Sequence, residues 1–503
     1  MSEREWSKYQ KAIFEHVAKR NSNLVIEALA GSGKSTVITE LCNRINPRRR
    51  VCVSAFNTST RDELKGRIRL PNVSVNTFHQ IGFYAVRSNW GPVEIDKDRQ
   101  RNLIRSIIPG GKQTPDGALG DLVKLVSMAM ARLAQTDQDF EDIMDTYECA
   151  PRAFEDRGHY VDWAKRVLSA SREKDDTVSF DDMIYLPVAS NWSLKLYDDV
   201  LVDEAQDCNP AQLELLKRSV KPTTGRLIAV GDSHQAIYGF RGADSNTMDM
   251  LIADLTADKL PLSVCYRCPT AVVDLAKNIV PEFEAAPNAI EGEVSIVEEP
   301  QFIKGVRAGD LVVSRSNAAL ARCLMSFIRA GKRCFIMGKD LGIGINAFID
   351  KIGGLTVIEF TELLTSYVEQ EAKRLVAAKK EDQVEALFDK VEMIHALAEG
   401  LTTVGQLQAR IRDLFGDSTT AKNAITLSSV HKAKGLEFDR VWMLESTFSI
   451  NDVEGANLYY VAATRAKRHL FLVQTPNSKG VVPESIAGQW LEQQENNEGE
   501  SDG

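Results

Sequence analysis

The 503-residue chain contains no apolar run near the ~20 residues that a membrane-spanning helix requires. Its polar opening, "MSEREWSKYQ", does not read as a signal peptide. Cysteine is sparse and scattered: eight residues, among which Cys265 and Cys268 form a lone C-x-x-C with no second pair. That spacing gives no zinc site and at most a redox dithiol, and it fits a reducing compartment. The expected location is therefore the cytoplasm, the nucleoid, or a nucleus in a eukaryotic source. An excess of positive charge is also missing. Sixty-one Lys and Arg face 70 Asp and Glu, for a net charge of −9. This argues against a surface coated in nucleic-acid-binding charge, but whole-chain charge averages over faces that never meet a ligand, so a local basic channel stays open. No internal repeat is visible.

The composition, 44% hydrophobic and 26% charged, is that of an ordinary globular protein. The length calls for two to four domains. Three segments run from an apolar strand through a turn into a helix: "LVIEALAGSGKSTVITEL", "RVCVSAFNTSTRDELKGRI" and "DDVLVDEAQDCNPAQLELL". A fourth buried strand, "RLIAVGD", follows. Continuous apolar runs alternating with helical patterns predict an α/β fold built on parallel sheets covered on both faces. Residues 90–178 turn polar and helical, and a second set of strands ("EVSIVEE", "GDLVVSRS", "RCFIMG", "AITLSSVH", "RVWMLES", "HLFLVQT") is interrupted by charged helical sequence over 355–418. The expected organisation is a first sheet domain over 1–89 and 179–260, a helical insertion at 90–178, and a second sheet domain over 261–354 and 419–488 with its own short insertion at 355–418. The acidic tail 489–503 is expected to be disordered.

"ALAGSGKST" follows an apolar strand and opens a helix, with Ala28 in place of the usual first glycine of a phosphate loop. Gly31 and Gly33 let backbone N–H groups approach phosphate, Lys34 reaches the β- and γ-oxygens, and Ser35 Oγ can ligate Mg²⁺. Ala30, Ser32 and Thr36 complete the loop, which is read as an ATP or GTP site. In "VLVDEAQD", Asp203 is placed to hold Mg²⁺ and Glu204 to take a proton from the attacking water. An acidic helix start is the rival reading of those two residues, and the phosphate loop decides against it.

Other segments are weaker singly. Phe56 ends a strand before a Thr60/Glu63 capping-box pattern, and Asn57 lies with it at the helix start. There a nucleic-acid phosphate can sit and Phe56 can stack on a base, or Phe56 can be core. Thr77 and His79 in "NTFHQIG" are nucleic-acid contacts or turn residues. Arg48, Arg49 and Arg50 read as a solvated loop. Arg267 in "SVCYRCP" and Arg465 in "YVAATRAKRHL" are surface salt-bridge residues or arginines delivered to a transferring phosphoryl group.

The ordered set "AGSGKST", "TFHQIG", "VDEAQD", "GDSHQAIYGFRGA", "YRCP", "VHKAKGLEF" and "YVAATRA" resembles the UvrD/Rep-type superfamily 1 DNA helicases over residues 5–475. His234, standing where most relatives carry an acid, and "DEAQDCNP" bring the resemblance closer to the F-box DNA helicase branch, without an F-box. The resemblance implies two RecA-like P-loop domains, each with a helical insertion, ATP between them and single-stranded DNA across their tops. It implies 3′→5′ movement with duplex unwinding in replication, recombination or repair, at single-strand/duplex junctions and with proteins of those pathways, by a monomer. By the resemblance, Gln10 reads the adenine edge, Tyr266 stacks on adenine, and Glu437 contacts the ribose. Gln235, Arg267 and Arg465 attend the γ-phosphate. Phe56, Asn57, Thr77, His79, Tyr238, Phe240, Arg241 and His431 contact DNA. Thr36 stands where many relatives have arginine, and the second insertion is much shorter than the regulatory subdomain of large members, so the resemblance does not carry over that subdomain's swivelling autoinhibition. The alternatives are an ATP-switched DNA-binding or protein-stripping translocase without unwinding, an RNA helicase of the same superfamily, and a nucleotide-signalling ATPase.

Overall fold

The computed structural model describes residues 5–108, 116–151, 157–239, 242, 246–377, 380–416, 423–475 and 485–490. Most of the acidic tail, with Phe240 and Arg241, lies outside them. The chain divides into two compact units, Met1–Ser263 and Val264–Gly503.

In chain order the strands of the first unit are Leu24–Ala28 (β1), Val51–Ala55 (β2), Val73–Thr77 (β3), Glu94–Ile95 (β4), Thr177–Val178 (β5), Asp199–Val202 (β6), Arg226–Gly231 (β7) and Asp258–Leu262 (β8). Six of them form one sheet in the order β3-β2-β6-β7-β1-β8, and every pairing is parallel. Strand periodicity explains the unbroken apolar runs. Leu24 and Ile26 of β1, Val51 and Val53 of β2, Leu201 of β6 and Ile228 of β7 share one core with Ile13, Val37, Ile38 and Leu41 of the helices Lys8–Lys19 and Lys34–Arg44. The intervening Val25, Cys52, Val200, Val202 and Leu227 face the other side, against Phe78, Leu215, Leu216 and Leu251. Two apolar faces require two layers of helices, each fully buried aliphatic side chain contributing about 1.5–3 kcal/mol.

The short strands β4 and β5 pair in parallel and bring together the two ends of the polar stretch expected to be an insertion. Between them the helices Arg99–Ile107, Asp116–Arg132, Asp137–Thr146 and Arg157–Ser171 pack around Leu122, Leu125, Phe140 and Val167. A buried ion pair, Arg99 Nη1 to Asp182 Oδ2 at 2.7 Å, ties them to the helix Phe180–Ala189. Arg49, expected in a solvated loop, instead bonds the buried carboxylate of Asp199 at 2.5 Å, and Arg226 holds the same carboxylate at 2.6 Å. The start of β6 needs a cation there because Asp199 is fully buried.

The second unit carries Val264–Cys265 (β9), Glu284–Ala285 (β10), Glu293–Glu298 (β11), Leu311–Ser314 (β12), Cys334–Met337 (β13), Phe415–Gly416 (β14), Ile425–Ser429 (β15), Phe438–Met443 (β16) and Ala466–Gln474 (β17). Seven of these form a parallel sheet ordered β11-β17-β16-β12-β15-β13-β14. The helices Val357–Ala377, Glu381–Ala398 and Val404–Leu414 share one continuous core with the helix Asn317–Arg329: Phe360, Leu364, Ile394 and Leu407 pack in the same cluster as Leu320, Leu324 and Phe327. Asp389 fastens them further, accepting from Ser316 Oγ at 2.5 Å, Ala318 N at 3.0 Å and Asn317 N at 3.1 Å at the start of that helix. Phe415–Gly416, placed by the sequence within the insertion, is an edge strand of the sheet.

Candidate active site and nucleic-acid interface

In the first unit β1, β2, β3, β6 and β7 all release the chain at the same, carboxyl-terminal edge of the sheet, where parallel sheets hold ligands. After β1, Gly31 and Gly33 take positive φ (67° and 87°), a backbone only glycine adopts without cost. Gly33 precedes the helix Lys34–Arg44 with no side-chain cap, so its N-terminal dipole faces outward unsatisfied. Ser32 Oγ is buried without a hydrogen-bond partner. Lys34 Nζ rests on Ala28 O at 2.9 Å and stands 3.9 Å from Glu204 Oε2. An uncapped helix start, an orphaned hydroxyl and a poised ammonium are the features a polyphosphate satisfies. Ala30, Ser35 and Thr36 lie in the same loop and first helical turn, with Thr36 N bonded to Gly33 O at 2.9 Å.

After β6 the chain bends sharply. Glu204 has φ 54° and ψ 46°, a left-handed conformation that strains a residue with a Cβ. Asp203, buried beside it, is held through its backbone N to Ser54 O at 3.0 Å. Burial, with the neighbouring Glu204 charge second, pushes the Asp203 carboxyl up to about 7, while Lys34 opposes the rise. A buried acid short of positive charge fits a divalent cation, which Asp203 and Ser35 can hold between them.

From these acids a hydrogen-bonded chain crosses to the next strand. Gln206 Nε2 donates to Glu204 Oε2 at 2.6 Å, and Gln206 Oε1 accepts from Asp232 N at 3.0 Å. Asp232 Oδ2 in turn accepts from Gln235 Nε2 at 2.5 Å. Gly231 makes room, since a Cβ there would stand 2.6 Å from Gln206 Oε1. Asp232 is fully buried, and burial raises its carboxyl above the usual range against the pull of Lys34. Neither Gln206 nor Asp232 was singled out from sequence. Both lie inside quoted motifs, and a search for buried polar residues flanking each strand end could have found them.

Among the expected nucleic-acid contacts, Phe56 and Tyr238, far apart in sequence, stack with ring centroids 6.0 Å apart and planes at 15°. Asn57 caps the helix Thr58–Arg67, its Oδ1 accepting from Thr60 N at 2.8 Å. This corrects the expected Thr60/Glu63 cap: the chain leaves β2 at Ala55 and the helix begins at once, placing Thr60 inside its first turn. Thr77 is buried in a capping box with Gln80 at the start of the helix Phe78–Trp90. His79 packs edge-on to Phe180, centroids 5.8 Å apart, and burial pulls its imidazole below the usual value. Phe180, 45% exposed at the first position of its helix, is an aromatic that the sequence reading missed. Gln10 is buried in a capping box with Ser7, its Oε1 accepting from Ser7 N at 3.0 Å.

In the second unit Arg267, Glu437 and Arg465 come together beside the starts of β16 and β17, with Tyr266 next to Arg267 in the chain. Arg267 Nε and Nη2 meet Glu437 Oε1 at 2.8 Å and 2.7 Å, and its Nη1 reaches Thr464 O at 3.3 Å. Arg465 is 1% exposed and spends its guanidinium on Val461 O at 2.7 Å and Thr464 Oγ1 at 3.1 Å. Tyr266 is exposed. His431 lies half-buried in the short helix Val430–Ala433 that follows β15. All eight cysteines are free thiols, and no cluster among the described residues has the ligands for a metal of the zinc type. No helix among the described residues is long and apolar enough to cross a membrane.

Residues 6–256 match the UvrD/REP helicase N-terminal domain, and residues 359–477 match the UvrD-like helicase C-terminal domain. The chain is 23% identical to F-box DNA helicase protein 1 of Schizosaccharomyces pombe over 93% of its own length and 57% of that protein. It is 24% identical to F-box DNA helicase 1 of Gallus gallus over 94% and 50%, respectively. To ATP-dependent DNA helicase Rep of Escherichia coli it is 25% identical over 51% and 41%. The chain spans about half the length of these curated relatives. Through matches in both of its units, the chain belongs to the UvrD/Rep helicase family.

Proposed function

We propose that this protein is an ATP-dependent DNA helicase and translocase that moves 3′→5′ along single-stranded DNA and opens duplex at junctions. The observation that carries this reading is the hydrogen-bonded chain from Glu204 through Gln206 and Asp232 to Gln235, in the turn that leads to Tyr238 stacked on Phe56. One short path links the acids beside the phosphate loop to an aromatic surface suited to bases.

Lys34 leaves Ala28 O for the β- and γ-oxygens when ATP fills the loop formed by Ala30, Gly31, Ser32, Gly33, Ser35 and Thr36. Glu204 accepts the proton of the attacking water, with Gln206 fixing its carboxylate. Asp203 and Ser35 would hold Mg²⁺, which when bound neutralises charge on the phosphate oxygens. Gln235 responds to the phosphate through Asp232 and moves the turn that leads to Tyr238. In the second unit, Arg267 and Arg465 are the candidates for neutralising the transferring phosphoryl, and each must leave its present partners to act. Tyr266, Glu437 and Gln10 are assigned to the nucleoside, and Asn57, Thr77, His79, Phe240, Arg241 and His431 to the DNA backbone and bases. Residues 90–178 and 355–418 are proposed as the two insertions, and the protein as a monomer serving replication, recombination or repair.

Unwinding of duplexes carrying either a 3′ or a 5′ single-stranded tail tests the proposal: ATP-dependent opening of the 3′-tailed substrate alone is expected, and opening of the 5′-tailed substrate alone contradicts it. A second reading, a translocase that strips proteins without opening duplex, is favoured by one observation: the helices Val357–Ala377, Glu381–Ala398 and Val404–Leu414 are built into the core of the second unit. It predicts ATP-driven displacement of streptavidin from a biotinylated single strand with no unwinding.

A further inference from the structure

Glu27 lies on β1, immediately before the phosphate loop, and is 8% exposed. A carboxylate in the interior of a parallel sheet is costly unless strong donors meet it. Its Oε1 accepts from Ser233 N at 2.8 Å and from Ser233 Oγ at 2.8 Å, while Oε2 lies 3.5 Å from Lys259 Nζ on β8. The sheet register pairs Glu27 with Gly231, so its side chain reaches forward past the end of β7 to the following turn. That turn, Ser233–Gln235, is capped by Asp232 and carries Gln235.

Two adjacent peptide groups of the turn are therefore gripped from two different places in the sheet domain. Asp232 N is held by Gln206 beyond β6, and Ser233 N by Glu27 on β1. Because both donors of Ser233 end on one carboxylate oxygen of Glu27, the bonds are of the stronger, charge-assisted kind. A displacement at the end of β1, where the phosphate loop begins, cannot leave the turn in place without breaking them.

We infer that Glu27 is a positioning residue that fastens the Gln235 turn to the phosphate-loop strand, so that the filling of the loop is felt at Gln235 and passed toward Tyr238. This rests on the ATP-driven reading given above. In this role Glu27 acts through Ser233. A carboxylate that merely balanced Lys259 would affect stability evenly and leave the coupling intact.

The test compares Glu27→Ala, Glu27→Gln and Ser233→Ala in the full chain. Amide hydrogen exchange, which needs neither ATP nor DNA, should be about tenfold faster at Asp232–Gln235 in E27A and unchanged in the helix Lys34–Arg44. In steady-state hydrolysis, E27A should lower the DNA-stimulated kcat about tenfold with KM for ATP within about twofold. E27Q, whose amide oxygen still accepts from Ser233, should restore most of that kcat. Should E27A fail to fold, S233A keeps the backbone donor and removes the hydroxyl, and about threefold faster exchange in the same turn carries the test. Unchanged exchange in the turn of the folded variants, or an E27Q as defective as E27A, overturns the inference. A wild-type hydrolysis rate indifferent to DNA would instead sink the motor reading, and the exchange measurement would still decide the role of Glu27.

Discussion

Gln206 donates to Glu204 Oε2 at 2.6 Å, and with its other amide atom it accepts from the backbone of Asp232 at 3.0 Å. The side chain proposed to activate water is thereby fixed to the strand end whose turn carries Gln235. Two bonds through a residue that is 1% exposed make this a rigid link, because the Gln206 amide cannot turn to water instead.

Gln206→Ala should lower kcat about 10- to 100-fold with little change in KM for ATP, since it frees Glu204 without touching the phosphate loop. Gly231→Ala should act in the same direction by pushing Gln206 away, its new Cβ meeting Gln206 Oε1 at 2.6 Å and Met248 Sδ at 2.7 Å. Steady-state kinetics on both variants, with circular dichroism to establish folding, checks the pair. Wild-type kcat in folded Gln206→Ala would remove the link from the account.

Lys34→Ala and Glu204→Gln should fail differently. The first loses the cation facing phosphate and should bind ATP weakly. The second keeps binding and loses about 10²–10⁴ in kcat, the range supplied by a general base. Binding of a fluorescent ATP analogue measured beside hydrolysis separates them.

The pH dependence follows from Asp203. Its carboxyl is raised to about 7 by burial and by Glu204, so below that pH a proton occupies the place where Mg²⁺ is proposed to sit. Mg²⁺ affinity should therefore rise with pH through 7 and level off above it, with proton release visible in calorimetry run in two buffers. The sign for stability is opposite. An acid whose folded pKa is raised contributes stability that is fully present below its ordinary value, about 4, and lost as pH rises through 7. Asp203→Asn should remove both dependences. Mg²⁺ affinity flat from pH 6 to 8 contradicts this.

Tyr238→Ala and Phe56→Ala should each weaken single-stranded DNA binding by about 1–3 kcal/mol at fixed salt. Because the two rings stack on each other, the double variant should lose less than the sum. Fluorescence anisotropy with an oligothymidine measures all three.

Asp199→Ala should destabilise the first unit by about 3–5 kcal/mol, because it takes from Arg49 and Arg226 the carboxylate they share at the buried start of β6. Urea unfolding gives the value, and a loss under 1 kcal/mol would show the pair to be dispensable.

What could be read in the sequence was whatever lay in consecutive residues. β1, β2, β6 and β7 are continuous apolar runs because helices cover both faces, and the phosphate loop and paired acids follow two of them directly. β3 and β8 gave no such signal. β3 is half-buried along most of its length, and β8 alternates in exposure and contains Pro261, as befits strands at the two edges of a sheet. Contacts between distant residues were equally hidden: Glu27 and Ser233, His79 and Phe180, Arg49 and Asp199 meet only once the strand order is set. The burial of Arg465 also had no sequence signature, since an arginine followed by "AKR" reads as surface.

The central claim is that hydrolysis is driven by DNA. The most direct measurement is the steady-state rate of ATP hydrolysis with and without single-stranded DNA at two salt concentrations, with Glu204→Gln as the inactive control. The account predicts strong stimulation by DNA that disappears in the variant. Equal rates with and without DNA at both salt concentrations would contradict it and leave a nucleotide hydrolase whose aromatic surface serves another end.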